Sequence, residues 1–139
     1  MTSKFSYSPR FTPGGFEFDP IVPVIFTNPK NGWNVEMFCL VDSGASVIIL
    51  DEKFANKLRL DLLSGKERIL EVIQEVPIVG YSHKLFMHLK DDPRDFEVDC
   101  VFVPGLKMNG LLGQKGFFDN YRVLFEGYNQ RLETTPVLF

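Results

Sequence analysis

The chain has 139 residues and a mass of 15.9 kDa, which fits one domain and leaves little room for a second. Fifteen Lys and Arg against 18 Asp and Glu give a net charge of −3 with the histidines neutral, so neither nucleic acid nor a membrane surface is an expected partner. Apolar residues at 45% and aromatics at 14%, led by 14 Phe, suffice for a core and exclude wholesale disorder.

Residues 1–15, rich in Ser, Pro, Gly and Thr with scattered aromatics, read as an N-terminal arm outside the core, and residues 16–139 as the domain. Ile21 to Phe26 and Trp33 to Val41 are runs of strand formers separated by Asn28-Pro29-Lys30-Asn31-Gly32, the pattern of a hairpin. Val47-Ile48-Ile49-Leu50 is a short buried-strand run. Asp51 to Leu60 follows with Phe54, Ala55 and Leu58 at helical spacing, acids at its start and Lys57 and Arg59 at its end, and reads as one short helix.

After the Ser64-Gly65 turn, Arg68 to Val79 and Tyr81 to Leu89 read as the arms of a second hairpin. Asp91-Asp92-Pro93 turns the chain, Phe96 to Val103 alternates polar with apolar, and Tyr121 to Glu126 is a last clear strand. Many short strands with one good helix predict an all-β domain, a small closed or folded-over β structure.

Cys39 and Cys100 lie 61 positions apart without CxxC spacing or a histidine cluster, so two buried free thiols are expected rather than a disulfide or a metal site. The first fifteen residues lack a basic segment followed by an apolar run, and no stretch approaches the roughly 18 to 20 apolar residues of a membrane span. A soluble, cytoplasmic protein is the expectation. His83 and His88 are five apart, on opposite faces of a strand, and read as surface or satisfied histidines.

Asp42 stands out among the acids because Phe38-Cys39-Leu40-Val41 precedes it and Val47 to Leu50 follows shortly after. A carboxylate carried toward a core by two apolar runs is costly unless it is hydrogen-bonded or paired. Gly44 allows a tight turn whose amide can donate to the carboxylate, and the Ser43 hydroxyl can brace the loop. On these residues alone, an Asp-Ser-Gly β-turn with a surface aspartate is the competing reading.

Leu40-Val41-Asp42-Ser43-Gly44-Ala45-Ser46-Val47, followed by Ile48-Ile49-Leu50 and a helix, resembles the active-site loop of the retropepsins, the single-domain aspartic proteases of retroviral type. Gly110-Leu111-Leu112-Gly113 resembles the family's apolar-apolar-Gly segment that packs beside that loop, and Gly116-Phe117-Phe118-Asp119 with the strand from Tyr121 continues much as in bacterial and cellular members. The resemblance implies a retropepsin-like fold, a small closed β-barrel with one or two short helices. It also implies an aspartic endopeptidase that acts on a peptide or protein substrate through an activated water, with no metal or organic cofactor.

One copy of the motif supplies one carboxylate, whereas this chemistry uses two that share a proton. The resemblance therefore implies a homodimer with Asp42 from each subunit as the catalytic pair and Ser43, Gly44 and Ala45 as loop support. It further implies a flap over the site, with substrate contacts from Val72, Ile73, Gln74 and Glu75 near its tip, and terminal strands from Phe5 to Gly15 and Val137 to Phe139 added to a shared sheet. The sequence departs from the family where many viral members place an acid after the first motif and an Arg after the second, which pair near the interface. Here Ser46 and Gln114 stand in those places, so a neutral contact is expected. The flap segment Ile69 to Val79 also lacks glycine. Two alternatives stay open: a catalytically inactive retropepsin-like dimerisation or interaction module, and an unrelated small β-barrel that binds a hydrophobic ligand.

Overall fold

A computed structural model of the chain describes residues 1–71 and 76–137. Twelve strands are described: β1 Ser3–Ser6, β2 Ser8–Thr12, β3 Gly15–Asp19, β4 Ile21–Thr27, β5 Asn34–Val41, β6 Ile48–Asp51, β7 Lys66–Leu70, β8 Ile78–Leu89, β9 Phe96–Val103, β10 Gly110–Leu112, β11 Tyr121–Glu126 and β12 Arg131–Pro136. One short helix, α1 (Lys53–Lys57), follows β6, and brief helical turns occupy Leu62–Ser64, Gln114–Phe118 and Gly127–Asn129. The all-β class expected from the strand spacing is the observed one. No helix among the described residues is long and apolar enough to cross a membrane.

The main sheet runs β4-β5-β10-β6-β9-β8-β7, and β4 also pairs with β8, so the first six of these strands close into a barrel with β7 outside it. Alternation along each strand sends one side chain in two to the interior. Val22, Val24 and Phe26 from β4, Met37, Cys39 and Val41 from β5, and Leu85, Met87 and Leu89 from β8 are all buried there. Phe54, Ala55 and Leu58 of the α1 region and Phe117, Tyr121 and Leu132 from the C-terminal half complete the same core. Cys39 and Cys100 are both buried inside it as free thiols.

The hairpin expected on either side of Asn28 to Gly32 is the observed antiparallel β4–β5 pair. A second antiparallel hairpin is present as β7–β8, but its arms are Lys66–Leu70 and Ile78–Leu89 and not Arg68 to Val79 and Tyr81 to Leu89. Gly80 makes no turn but lies within β8 opposite Arg68, where a side chain would meet Val101 and the Phe102 carbonyl. Three further expectations are corrected. The helix is Lys53–Lys57 and not Asp51 to Leu60. Its start is delayed because Asp51 still pairs with Val103 in the sheet. It stops at Leu58 because Arg59 turns left-handed at φ 55°, with the Leu60 amide donating to Ala55 and the Arg59 amide to Asn56, the Schellman closure of a helix.

The C-terminal strand is Arg131–Pro136 in place of Val137 to Phe139, of which residues 138–139 lie outside the described residues. β12 sits between β1 and β11, all antiparallel and all within one chain. Nor is Asp42 the one acid carried inward, since Asp51 and Asp92 are buried more deeply. Asp51 accepts from the amides of Lys53 (3.0 Å) and Leu106 (2.9 Å), and Asp92 accepts from Arg94 and from the Tyr121 hydroxyl (2.7 Å). Both therefore meet the need of a buried carboxylate for donors.

Candidate active site

The Asp42 loop joins β5 to β6, two strands that are consecutive in sequence but not neighbours in the sheet, because β10 lies between them. β10 runs parallel to β5, with Leu112 opposite Val41, and antiparallel to β6, with Leu111 opposite Ile49. The loop must therefore arch over the end of β10, and the residues leaving β10 lie directly beneath it. The Asp42 amide donates to the Leu112 carbonyl at 3.0 Å, and the amides of Gln114 and Lys115 donate to the carbonyls of Ala45 (2.9 Å) and Ser46 (3.0 Å).

Gly113 is the closest point of this approach. A Cβ built there would lie 2.3 Å from the Val47 carbonyl oxygen and 2.6 Å from that of Ala45, distances that only glycine permits. Gly110, at the other end of the same segment, would bring a Cβ to 2.7 Å from Leu50 and 3.0 Å from Cys39 Sγ. The two glycines thus let β10 fit between β5 and β6 and bring the second motif against the first.

Asp42 is half-buried. Its Oδ1 accepts from the Gly44 amide at 2.9 Å, and the Ala45 amide donates to its carbonyl at 3.1 Å, which closes the turn. Oδ2 accepts no hydrogen bond from the described residues and is free for a partner. Ser43 and Gly44 are exposed and Ala45 is half-buried. Among the described residues Ser43 braces the loop through its carbonyl, which accepts from the Gln114 side-chain amide at 2.8 Å, and not through its hydroxyl. Gln114 was legible in the sequence only as a missing charge, and its part in holding this loop is new.

The β7–β8 hairpin lies beside the loop. Leu70 and Ile78, a cross-strand pair, pack on a small cluster of Val47, Val101 and Val103, together with Ile49 and Leu106. Their neighbours Ile69 and Val79 face outward and are exposed. The hairpin therefore packs on the strand that leaves the Asp42 loop. The proposed contact residues Val72, Ile73, Gln74 and Glu75 lie outside the described residues. His83 Nε2 is 2.9 Å from the Leu62 carbonyl and His88 Nδ1 is 2.6 Å from Asp95, so both are satisfied locally. Among the described residues no group of three or more His, Cys, Asp or Glu could hold a metal.

No protein-family model matches the chain, and no curated protein matches it in sequence. Among solved structures, a retropepsin-like aspartic protease from Rickettsia conorii superposes with a TM-score of 0.65 at 17% identity, over 96% of this chain and 91% of that one. The chain has the retropepsin fold. The EIAV protease in complex with an inhibitor overlaps at a TM-score of 0.48 and 17% identity, over 69% of this chain and 82% of that one. On the retropepsin fold seen here, Asp42-Ser43-Gly44 crowns the β5–β6 connection, and Gly110 to Gly113 supports it from below.

Proposed function

We propose that the chain is an aspartic endopeptidase, active as a twofold homodimer in which Asp42 of each copy supplies one carboxylate of a catalytic pair. The observation that supports this most is the geometry of residues 42–45. The half-buried carboxylate is held at Oδ1 by Gly44, accepts nothing at Oδ2 from the described residues, and sits on a loop fixed from below by Leu112, Gly113 and Gln114. A single such carboxylate lacks the acid needed to complement its base. The second copy provides it.

In this reading a water lies between the two carboxylates, which hold one proton between them. The ionised member takes a proton from the water as its oxygen attacks the scissile carbonyl carbon, and the protonated member donates to the carbonyl oxygen. A neutral gem-diol results. Proton transfer to the amide nitrogen and return of a diol proton to the pair then break the C–N bond, leaving one proton on the pair as at the start. Gly44 orients Asp42, and Ser43 and Ala45 hold the loop through their carbonyls. The peptide runs between the loop and the β7–β8 hairpin, with Val72, Ile73, Gln74 and Glu75 assigned to substrate contact.

The test is Asp42→Asn, which keeps size and hydrogen-bonding capacity but removes the proton cycle. Cleavage of an unfolded protein by the wild type, scanned from about pH 4 to 7, should vanish in the variant while sedimentation still shows the dimer. Cleavage that survives the substitution, or a strictly monomeric wild type at high concentration, overturns the reading. A stable wild-type dimer that cuts nothing across that range leaves the interaction module.

A further inference from the structure

Residues 8–19 form a hairpin that pairs with no other strand among the described residues. Its register places Pro9 opposite Phe18 and Phe11 opposite Phe16, alternating with Ser8 opposite Asp19 and Arg10 opposite Glu17. All four apolar residues therefore share one face. Phe11 is 77% exposed, Phe16 68% and Phe18 42%, and the Phe11 and Phe16 rings meet edge to face at 5.7 Å. The other face is polar and self-satisfied: Arg10 donates to Asp19 at 2.8 Å and to Glu17 at 2.6 Å. An isolated two-stranded hairpin is marginal in water, and a contiguous exposed apolar patch marks an interaction surface.

The root of this arm identifies its partner. On one side the Tyr7 amide donates to the Gln130 carbonyl at 2.7 Å, which ties the arm to the terminal sheet. On the other, the Pro20 carbonyl accepts from the Val41 amide at 2.8 Å, one residue before Asp42. Resting on the catalytic-pair reading above, we propose that the Pro9, Phe11, Phe16 and Phe18 face is a dimerisation arm that docks on the second copy of this chain. A copy that brings its own Asp42 within hydrogen-bond reach of the first must lie beside residue 41, where the arm begins. Five strand residues then extend about 17 Å, enough to lie along that copy. By twofold symmetry each subunit gives one arm and receives one. This places the apolar contact on the arm, while Ser46 and Gln114 leave the loops without an ion pair between subunits.

The test is Phe11→Ser with Phe16→Ser in the full chain. Both rings are exposed, so circular dichroism and melting should match the wild type. Sedimentation equilibrium should show the dimer dissociation constant raised at least tenfold, with cleavage lost at low protein concentration and restored at high concentration. Leu63→Ser, at an equally exposed leucine elsewhere, should leave the dimer unchanged. As a second measurement, a benzoylphenylalanine photocrosslinker at position 11 should give a covalent dimer on illumination. An unchanged dissociation constant in a dimeric protein overturns the arm and leaves the catalytic pair standing; a monomeric wild type overturns both. Unchanged dimerisation with lost binding to phosphatidylcholine vesicles, or with lost cleavage at every protein concentration, gives the face to a membrane or to substrate and overturns the proposal.

Discussion

Gln114 donates its side-chain amide to the Ser43 carbonyl at 2.8 Å across 71 residues of sequence, and its backbone amide holds Ala45 at the same time. The Gln114 side chain, which stands where viral members place a charged partner, therefore contacts Ser43 of its own chain and not Ser46, whose carbonyl accepts from the Lys115 amide. Gln114→Ala removes one exposed hydrogen bond and should cost about 1 kcal/mol or less in stability. Gln114→Glu sets a carboxylate against a carbonyl and should perturb the loop more. If the contact positions Asp42, Gln114→Glu lowers kcat about tenfold while KM and dimer affinity hold. Equal activity in all three proteins would make the contact merely structural.

Gly113 gives a sharper test of the loop's support. A methyl group there meets two backbone carbonyls at 2.3 and 2.6 Å, and neither can move without lifting the Asp42 loop or β6. Gly113→Ala should cost more than about 2 kcal/mol, read from urea denaturation. A variant of wild-type stability would show that the loop relaxes freely.

Much of this arrangement could be read from sequence where local pattern and tertiary role agree. Phe96–Val103 and Tyr121–Glu126 have the bounds expected from their sequence; the first is held between two apolar clusters, with Cys100 and Phe102 facing one and Val101 and Val103 the other. β10 and β12 carry no strand signal in their own sequence. Gly110–Leu112 is only three residues long and is extended because β5 and β6 flank it. Arg131–Pro136 has little strand character in composition and is fixed by pairing with β1 and β11. The helix is shorter than its sequence pattern because the apolar spacing continues to Leu58, while the Asp51 and Arg59 backbones obey the sheet and the cap. Asp92 has the sequence setting of a turn former, and its burial depends on Arg94 and Tyr121, a partner 29 positions away.

Asp92 should govern stability in acid. Burial pushes its carboxyl up, but hydrogen bonds from the Arg94 side chain, the Tyr121 hydroxyl and the Arg94 amide outweigh burial and hold it below the ordinary value of 3.8. A depressed native value means that the unfolded chain binds the proton first. The contribution is full above roughly pH 4 and is lost as pH falls below that toward the native value. Asp92→Asn should therefore cost roughly 1–3 kcal/mol at pH 7, with a smaller difference from wild type at pH 3. A difference that grows in acid would reverse the sign of the argument.

The cysteines set the alkaline limit. Cys39 and Cys100 lie inside the barrel, where burial pushes the Cys39 thiol up to about 12. Burial also lifts Cys100 well above the usual value, with Cys39 and Asp99 adding to it. Both thiols then stay protonated in the native state at pH values where the unfolded chain has ionised. Stability from this source is full below the ordinary thiol value of 9.0 and falls as pH rises toward about 12. Tyr121, raised by burial and by its bond to Asp92, adds to the same fall. The slope of stability against pH, not the absolute stability, separates the two, since Cys39→Ala should flatten it between about pH 9 and 11 while Tyr121 is unchanged. The same burial means that a thiol reagent labels the native protein slowly and the denatured protein at once, because only an accessible thiolate reacts. Rapid native labelling, or a mass two units below the reduced value after reducing purification, would remove both cysteines from the core as free thiols.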